Sequence, residues 1–131
     1  MNIQEVVALV TGGASGLGEA SILELVKNGA KAVVVDVDTD KGEKLAAGIG
    51  TNAVFVKADV TSESDVRQAV QKAIDVFGKI NVVINCAGVV KPGKLIGKKG
   101  PLPLDSFNNV LQINLVGTFN VIRLSVEKMI T

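Results

Sequence analysis

Val6-Val7-Ala8-Leu9-Val10-Thr11-Gly12-Gly13-Ala14-Ser15-Gly16-Leu17-Gly18 runs from an unbroken apolar block into four glycines within seven residues. Apolar residues on consecutive positions, rather than alternating ones, suit a strand covered by helices on both faces. Beyond the glycines, Leu17 to Asn28 places Ala20, Leu23 and Val26/Lys27 at helical spacing, and Asn28-Gly29 supplies a left-handed stop. The unit is therefore strand, glycine turn, helix. Glycines let the backbone turn tightly and approach a ligand closely, and the helix start offers free N–H groups and partial positive charge to an anion. Such a turn can equally serve packing alone, so its surroundings decide what it means.

Downstream residues repeat the same alternation. A second strand is read at Ala32–Asp36. Asp40 with Glu43 resembles a capping pair for a helix that runs through Leu45 and Ala46 and ends at Gly48 and Gly50. A third strand follows at Ala53–Lys57. Ser62 and Asp65 then open a helix whose Val66, Val70, Ala73, Ile74 and Phe77 share one face. Val82–Asn85 is a fourth buried strand. This β-α-β-α-β-α-β succession predicts an α/β fold, a Rossmann-like doubly wound parallel sheet with strands ordered 3-2-1-4. Residues 1–131 read as one domain, with a Gly-, Pro- and Lys-rich loop insertion over 89–103. Leu104 to Met129 reads as one long helix. Its Phe107, Val110, Leu111, Leu115, Phe119, Ile122, Val126 and Met129 spread too widely for a one-sided amphipath, so two faces are expected to be covered.

With 14 Lys+Arg, 13 Asp+Glu and a net charge of +1, the chain lacks the concentrated cationic surface that nucleic acid or anionic lipid requires. Its longest apolar run, Val6 to Val10, is far short of the roughly 20 residues of a membrane-spanning helix. The polar start Met1-Asn2-Ile3-Gln4-Glu5 has no secretory pattern, and the single Cys86 cannot form an internal disulfide. These features predict a cytoplasmic or mitochondrial-matrix setting and no membrane or nucleic-acid partner. No metal site is read. With no His, Tyr or Trp, acid/base chemistry near neutral pH must come from Asp, Glu, Lys or Cys, or from residues outside the 131.

The glycine turn gains meaning from Asp36, which closes the second strand 24 residues after Gly12. A strand, a glycine turn opening a helix, and an acid at the next strand end together fit dinucleotide binding. Asp36 would accept hydrogen bonds from both hydroxyls of an adenosine ribose. A 2′-phosphate about 4 Å away would be repelled by roughly 4 kcal/mol per charge pair at an effective dielectric near 20, and no Arg or Lys at positions 13–15 or 37 compensates. NAD is thus expected rather than NADP. Cys86 has no His to activate it and reads as a small packed residue. Ser125 and Lys128 have Ser-x-x-Lys spacing with nothing of that chemistry nearby.

Thr11–Gly18, Asp59-Val60, Asn85-Cys86-Ala87-Gly88 and Asn114 within Ile113–Phe119, in this order, resemble the short-chain dehydrogenase/reductase family. Within it, Cys86, the Lys/Gly-rich insertion after Gly88 and the stretch Asn114 to Ser125 look most like the type-2 3-hydroxyacyl-CoA dehydrogenases. The resemblance implies an NAD-dependent oxidoreductase acting on a secondary alcohol such as a 3-hydroxyacyl-CoA. It places Gly12, Ser15, Gly16, Leu17 and Gly18 in the turn that meets pyrophosphate and ribose, with Asp36 on the adenosine ribose. Asp59 and Val60 fall at the adenine edge; Cys86, Ala87 and Gly88 fall behind the nicotinamide-side ribose. Asp59 also reads as a turn acid before Thr61-Ser62. Asn114 is the matched residue implied in catalysis, by opening a kink whose main chain holds a water in a proton relay; a helix Asn bonding a neighbouring turn is the alternative. The family's catalytic Ser, and its Tyr with a nearby Lys, are absent from the sequence, which stops at Lys128-Met129-Ile130-Thr131.

The chain is therefore expected to be the cofactor-binding N-terminal part of a larger enzyme, with negligible turnover alone; a catalytically inactive dinucleotide-binding or assembly module is the alternative. Strand Val82–Ile84 would be an open apolar edge, and the family resemblance implies a homo-oligomer through the final helix. Lys91, Lys94, Lys98 and Lys99 read as contacts to coenzyme A phosphates or as a solvated loop.

Overall fold

The computed structural model describes residues 1–130. A short 3₁₀ turn, Ile3–Glu5, leads into β1 (Val7–Thr11), followed by α1 (Gly16–Lys27), β2 (Lys31–Asp36), α2 (Thr39–Ile49), β3 (Ala53–Lys57), α3 (Glu63–Phe77) and β4 (Val82–Asn85). These four strands form one parallel sheet in the order β3-β2-β1-β4, with Thr11 opposite both Val35 and Asn85. This is the doubly wound arrangement expected from the alternation.

Because side chains alternate along a strand, the continuous apolar runs feed two cores. Leu9, Val33 and Val35 pack with Val66, Val70 and Ala73 of α3, while Ala8, Val10, Ala32 and Val34 pack with Ile22 of α1 and Ala46 of α2. All five residues of β1 are buried, so the glycine turn that follows leaves from the most buried strand of the sheet. Ser62 caps α3 by accepting from the Asp65 N–H, as its spacing implied, and α3 ends at Gly78 in the left-handed conformation. The expected cap of α2 is corrected: Asp38 Oδ1 accepts from the Lys41 N–H, and Asp40 lies inside the first turn. Asp38 holds an extended backbone, which a cap requires and a residue already in the helix cannot adopt.

The connection after β4 carries a small hairpin, β5 (Ile96–Gly97) paired antiparallel with β6 (Gly100–Pro101). The single helix expected over Leu104–Met129 is three segments: α4 (Leu104–Leu111), a π-helical stretch Gln112–Gly117, and α5 (Thr118–Met129). The π stretch contains two anchors, Asn114 on the strand connection and Gly117 against Val60, where an added Cβ would overlap the valine side chain. Periodicity does not register a change of this kind. On α5, Val121 and Leu124 enter the core. The opposite face, with Phe107, Leu111, Leu115, Phe119, Ile122 and Val126, is exposed, so only one of the two faces is covered within the chain. Among the described residues no helix is long and apolar enough to cross a membrane.

Candidate functional site

At the carboxyl ends of β1, β2 and β4, a cleft of about 610 Å³ opens between four connections. It is lined by Gly12 and Ser15–Gly18 after β1, Val35–Val37 at the end of β2, Ala58–Val60 after β3, Cys86–Val89 after β4, and Ile113 of the π stretch. The strand order reverses at β1, with β2 and β3 on one side and β4 on the other, which opens a crevice where doubly wound sheets take their ligands.

The glycine turn is shaped by what surrounds it. Gly12 has φ +61°, and a Cβ there would stand 2.7 Å from the Cys86 carbonyl, so the first turn residue needs both the left-handed backbone and the missing side chain. Ser15 is extended and forms no side-chain cap to α1, which leaves its hydroxyl and the first N–H groups of the helix available at the cleft. Asp36 fixes the same turn from the neighbouring strand. Its Oδ2 accepts from the Ala14 N–H at 3.0 Å and its Oδ1 from the Asp38 N–H at 3.0 Å. Each oxygen keeps lone-pair capacity, so a partly buried carboxylate stands oriented at the cleft wall.

Asp59 stands on the third side, exposed. Its Oδ1 accepts from the N–H and the hydroxyl of Thr61, the turn role read as its alternative, and among the described residues no hydrogen bond falls on Oδ2. Val60 is buried, and its carbonyl accepts from Asn120 Nδ2 at 2.8 Å. Asn120 in turn accepts from Arg123, whose guanidinium pairs with Glu63, so α5 braces this wall. Those contacts with Arg123 and then Arg67 hold the Glu63 carboxyl below its ordinary range, and the Asp59 N–H and the Ser62 hydroxyl do the same for Asp65.

Asn114 does not line the cleft. Its amide makes a two-point clamp on one backbone residue, with Oδ1 accepting from the Val89 N–H at 2.8 Å and Nδ2 donating to the Val89 carbonyl at 2.9 Å. The clamp fixes the connection that carries Gly88 past the cleft, and a Cβ on Gly88 would reach to 3.3 Å of Asn114 Oδ1. The Asn114 carbonyl accepts from Thr118 Oγ1 at 2.8 Å.

Gly12, Ser15, Gly16, Leu17, Gly18, Asp36, Asp59, Val60, Cys86, Ala87 and Gly88 thus meet in one cleft although they span 77 residues of sequence. Val35, Val37, Ala58, Val89 and Ile113 also line it and were not singled out in the sequence; each adjoins a residue that was, and that adjacency was the available signal. Ser125 Oγ is buried without a hydrogen-bond partner among the described residues, so its spacing from Lys128 makes no nucleophile–base pair there.

A parallel sheet of order 3-2-1-4 with a glycine turn, an oriented acid and a crevice at the switch point defines the Rossmann-like class of α/β proteins. The family model for short chain dehydrogenase matches residues 6–131, and the chain belongs to that family. It is similar to 3-hydroxyacyl-CoA dehydrogenase type-2 of Homo sapiens, 47% identical over 130 residues, which cover 98% of this chain and 50% of the relative. It is 46% identical over 129 residues to the protein of the same name from Drosophila melanogaster, covering 97% of this chain and 51% of the relative. Momilactone A synthase of Oryza sativa subsp. japonica is 42% identical over 114 residues, 86% of this chain and 41% of the relative. The chain spans about half the length of the curated relatives it matches.

Proposed function

We propose that this chain is the cofactor-binding part of an NAD-dependent oxidoreductase acting on a secondary alcohol of the 3-hydroxyacyl-CoA type. The observation that carries the reading is the gathering of the glycine turn, Asp36, Asp59-Val60 and Cys86–Gly88 around one cleft. Its volume falls within the roughly 300–1,000 Å³ typical of small-molecule sites.

The residues fit the group. The α1 N-terminus and the Ser15 hydroxyl meet the pyrophosphate, the Asp36 carboxylate accepts from the adenosine ribose, and Asp59 Oδ2 with the Val60 backbone meets the adenine edge. Cys86, Ala87 and Gly88 back the nicotinamide-side ribose, where glycine allows close approach. Bound NAD supplies the hydride acceptor. Asn114 positions this wall through Val89, and its main chain in the π stretch is the group that holds a water for the proton relay. The preference for NAD over NADP rests on Asp36 and on the lack of a cation at positions 13–15 and 37.

No His or Tyr is present to exchange the hydroxyl proton, and loss of a positioned acid/base costs about 10²–10⁴ in rate. The chain alone therefore binds cofactor and turns over negligibly. Its exposed stripe from Phe107 to Val126 favours assembly into a homo-oligomer through α4 and α5. Titration of NADH, followed by its own emission, tests the reading: saturable one-to-one binding with no NADH formed from NAD and 3-hydroxybutyryl-CoA is expected. A folded chain that leaves NADH emission unchanged contradicts it.

A further inference from the structure

Val60 lines the cleft, and the two polar groups of its backbone are held unequally. The residue is 6% exposed, and its carbonyl accepts from Asn120 Nδ2 at 2.8 Å. Among the described residues no acceptor takes its N–H. A buried backbone N–H without a partner is rare in native folds, so an open donor in a cleft wall points to an acceptor atom on the ligand. Neighbouring contacts orient it. The Asp59 carbonyl accepts from the Ser62 N–H at 3.0 Å, and across a trans peptide the Val60 N–H stands opposite that carbonyl, turned away from the start of α3. Asp59 Oδ2 adds an acceptor that no hydrogen bond occupies among the described residues. Residues 59 and 60 thus offer one donor and one acceptor, the complement of an adenine edge, where a ring nitrogen accepts beside an exocyclic amine that donates.

Asn120 sets where that donor stands. It is 5% exposed, sits on α5 and reaches Val60 across 60 residues of sequence. The oxygen and nitrogen of a side-chain amide are nearly alike in shape, so its polarity follows from its partners, and here Arg123 fixes it. A guanidinium can only donate. Arg123 Nη2 therefore donates to Asn120 Oδ1 at 2.9 Å, which leaves the amide NH₂ for the Val60 carbonyl. The same Nη2 donates to Glu63 Oε2 at 2.6 Å, and Glu63 Oε1 accepts from Arg67 Nε and Nη2 at 3.0 and 2.8 Å. Glu63 opens α3, directly after the connection that carries Asp59 and Val60, so the brace is tied to both flanks of this wall. We propose that Asn120, its amide polarised by Arg123, is a positioning residue for the purine of the cofactor: it fixes Val60 so that its N–H meets the ring nitrogen while Asp59 Oδ2 takes the exocyclic amine, and thereby makes the cleft selective for adenine over hypoxanthine. This rests on the NAD-binding reading and adds base specificity to it.

NADH and reduced nicotinamide hypoxanthine dinucleotide carry the same emitting ring and differ only at the base, so the ratio of their affinities for the 131-residue chain isolates the base contacts. Hypoxanthine reverses both partners, with a ring N–H and a carbonyl oxygen, and is expected to bind the parent chain at least about 10-fold more weakly than NADH. Asn120→Asp keeps the volume and the Arg123 contact but sets an acceptor against the Val60 carbonyl. It is expected to weaken NADH about 3- to 10-fold, to leave the hypoxanthine analogue within about 2-fold, and to lower the ratio accordingly. Lost packing alone would weaken both ligands alike and leave the ratio unmoved. Arg123→Met, at a side chain 38% exposed, frees the amide to turn over with little burden on the fold and is expected to lower the ratio about 2- to 3-fold. An unchanged ratio in Asn120→Asp overturns the proposal; where that variant does not fold, an unchanged ratio in Arg123→Met does so. A parent chain that binds both dinucleotides equally also overturns it and leaves the NAD-binding reading standing. A folded parent chain that binds neither removes that reading, and the brace with it.

Discussion

Replacing Asp36 by Asn separates the backbone contacts that the structure gives this residue from the ribose contact proposed for it. Its two carboxylate oxygens each accept one backbone N–H at 3.0 Å, from Ala14 and from Asp38. An amide can supply only one acceptor oxygen and sets an NH₂ group against the other donor, so one of these bonds is lost. Ala14 is 5% exposed, and leaving its N–H unpaired would cost about 1–3 kcal/mol; the amide therefore turns its oxygen toward Ala14, leaving Asp38 to solvent at a lower cost. For the proposed cofactor, charge-assisted bonds to the ribose hydroxyls would become neutral ones, a loss of about 1–3 kcal/mol or roughly 5- to 150-fold in NADH affinity. For NADPH, the repulsion of roughly 4 kcal/mol per charge pair at about 4 Å disappears, discounted because Asp36 is partly exposed. The NADH:NADPH affinity ratio should then fall by about 30-fold or more, mainly through loss of the first and gain of the second. With no Trp or Tyr in the chain, NADH and NADPH emission can be followed without protein emission beneath it. A ratio that stays within about 3-fold of the parent's, in a variant whose circular dichroism is unchanged, refutes the assignment of Asp36 to the ribose.

Asn114→Ala removes both hydrogen bonds to Val89 and is expected to destabilise the chain by about 1–2 kcal/mol, with faster amide exchange at Val89; unchanged exchange there refutes the clamp. Ser125→Ala removes a fully buried hydroxyl without a partner among the described residues, and its stability from urea unfolding should match or exceed the parent's, by up to about 1 kcal/mol; a clear loss of stability would mean that the hydroxyl has a partner. Glu63 and Asp65 have folded-state affinities for protons below their ordinary ones, Glu63 chiefly through Arg123 and Asp65 chiefly through the Asp59 N–H. Their contribution to stability is therefore complete above the ordinary carboxylate range and is lost as pH falls through and below about 4. Urea midpoints measured from pH 7 to pH 3 should drop in that window, and less steeply in Glu63→Gln/Asp65→Asn; parallel curves for the two proteins would refute the linkage.

The sheet was legible because its information is local. Uninterrupted β-branched runs read as doubly covered strands, and repeated crossovers allow few strand orders. The cleft residues were legible for a related reason: a doubly wound sheet brings every carboxyl-end connection to one edge, so residues just after each strand were bound to meet. Three features depend on contacts that no local pattern encodes. The cap of α2 falls on Asp38 because the chain stays extended through that residue as it leaves Asp36, and Asp40 presented the same residue type within the helix. The π stretch carries Asn114 on Val89 and Gly117 on Val60, partners 25 and 57 residues distant in sequence. The hairpin has only two residues per strand, too few for alternation to emerge among glycines, prolines and lysines. Asn114 illustrates the division best, since its identity pointed to the site while its actual contact, a two-point hold on one backbone residue, needed coordinates.

Amide chemical-shift mapping of the 131-residue chain during titration with NAD bears most directly on the central claim that the cleft takes a dinucleotide. Saturable shifts confined to Gly12–Gly18, Asp36-Val37, Asp59-Val60 and Cys86–Val89, sharing one dissociation constant, are expected, with the α2–α3 surfaces and the hairpin tip unmoved. Absence of shifts at the glycine turn in a folded chain, or a saturable response centred elsewhere, would contradict it.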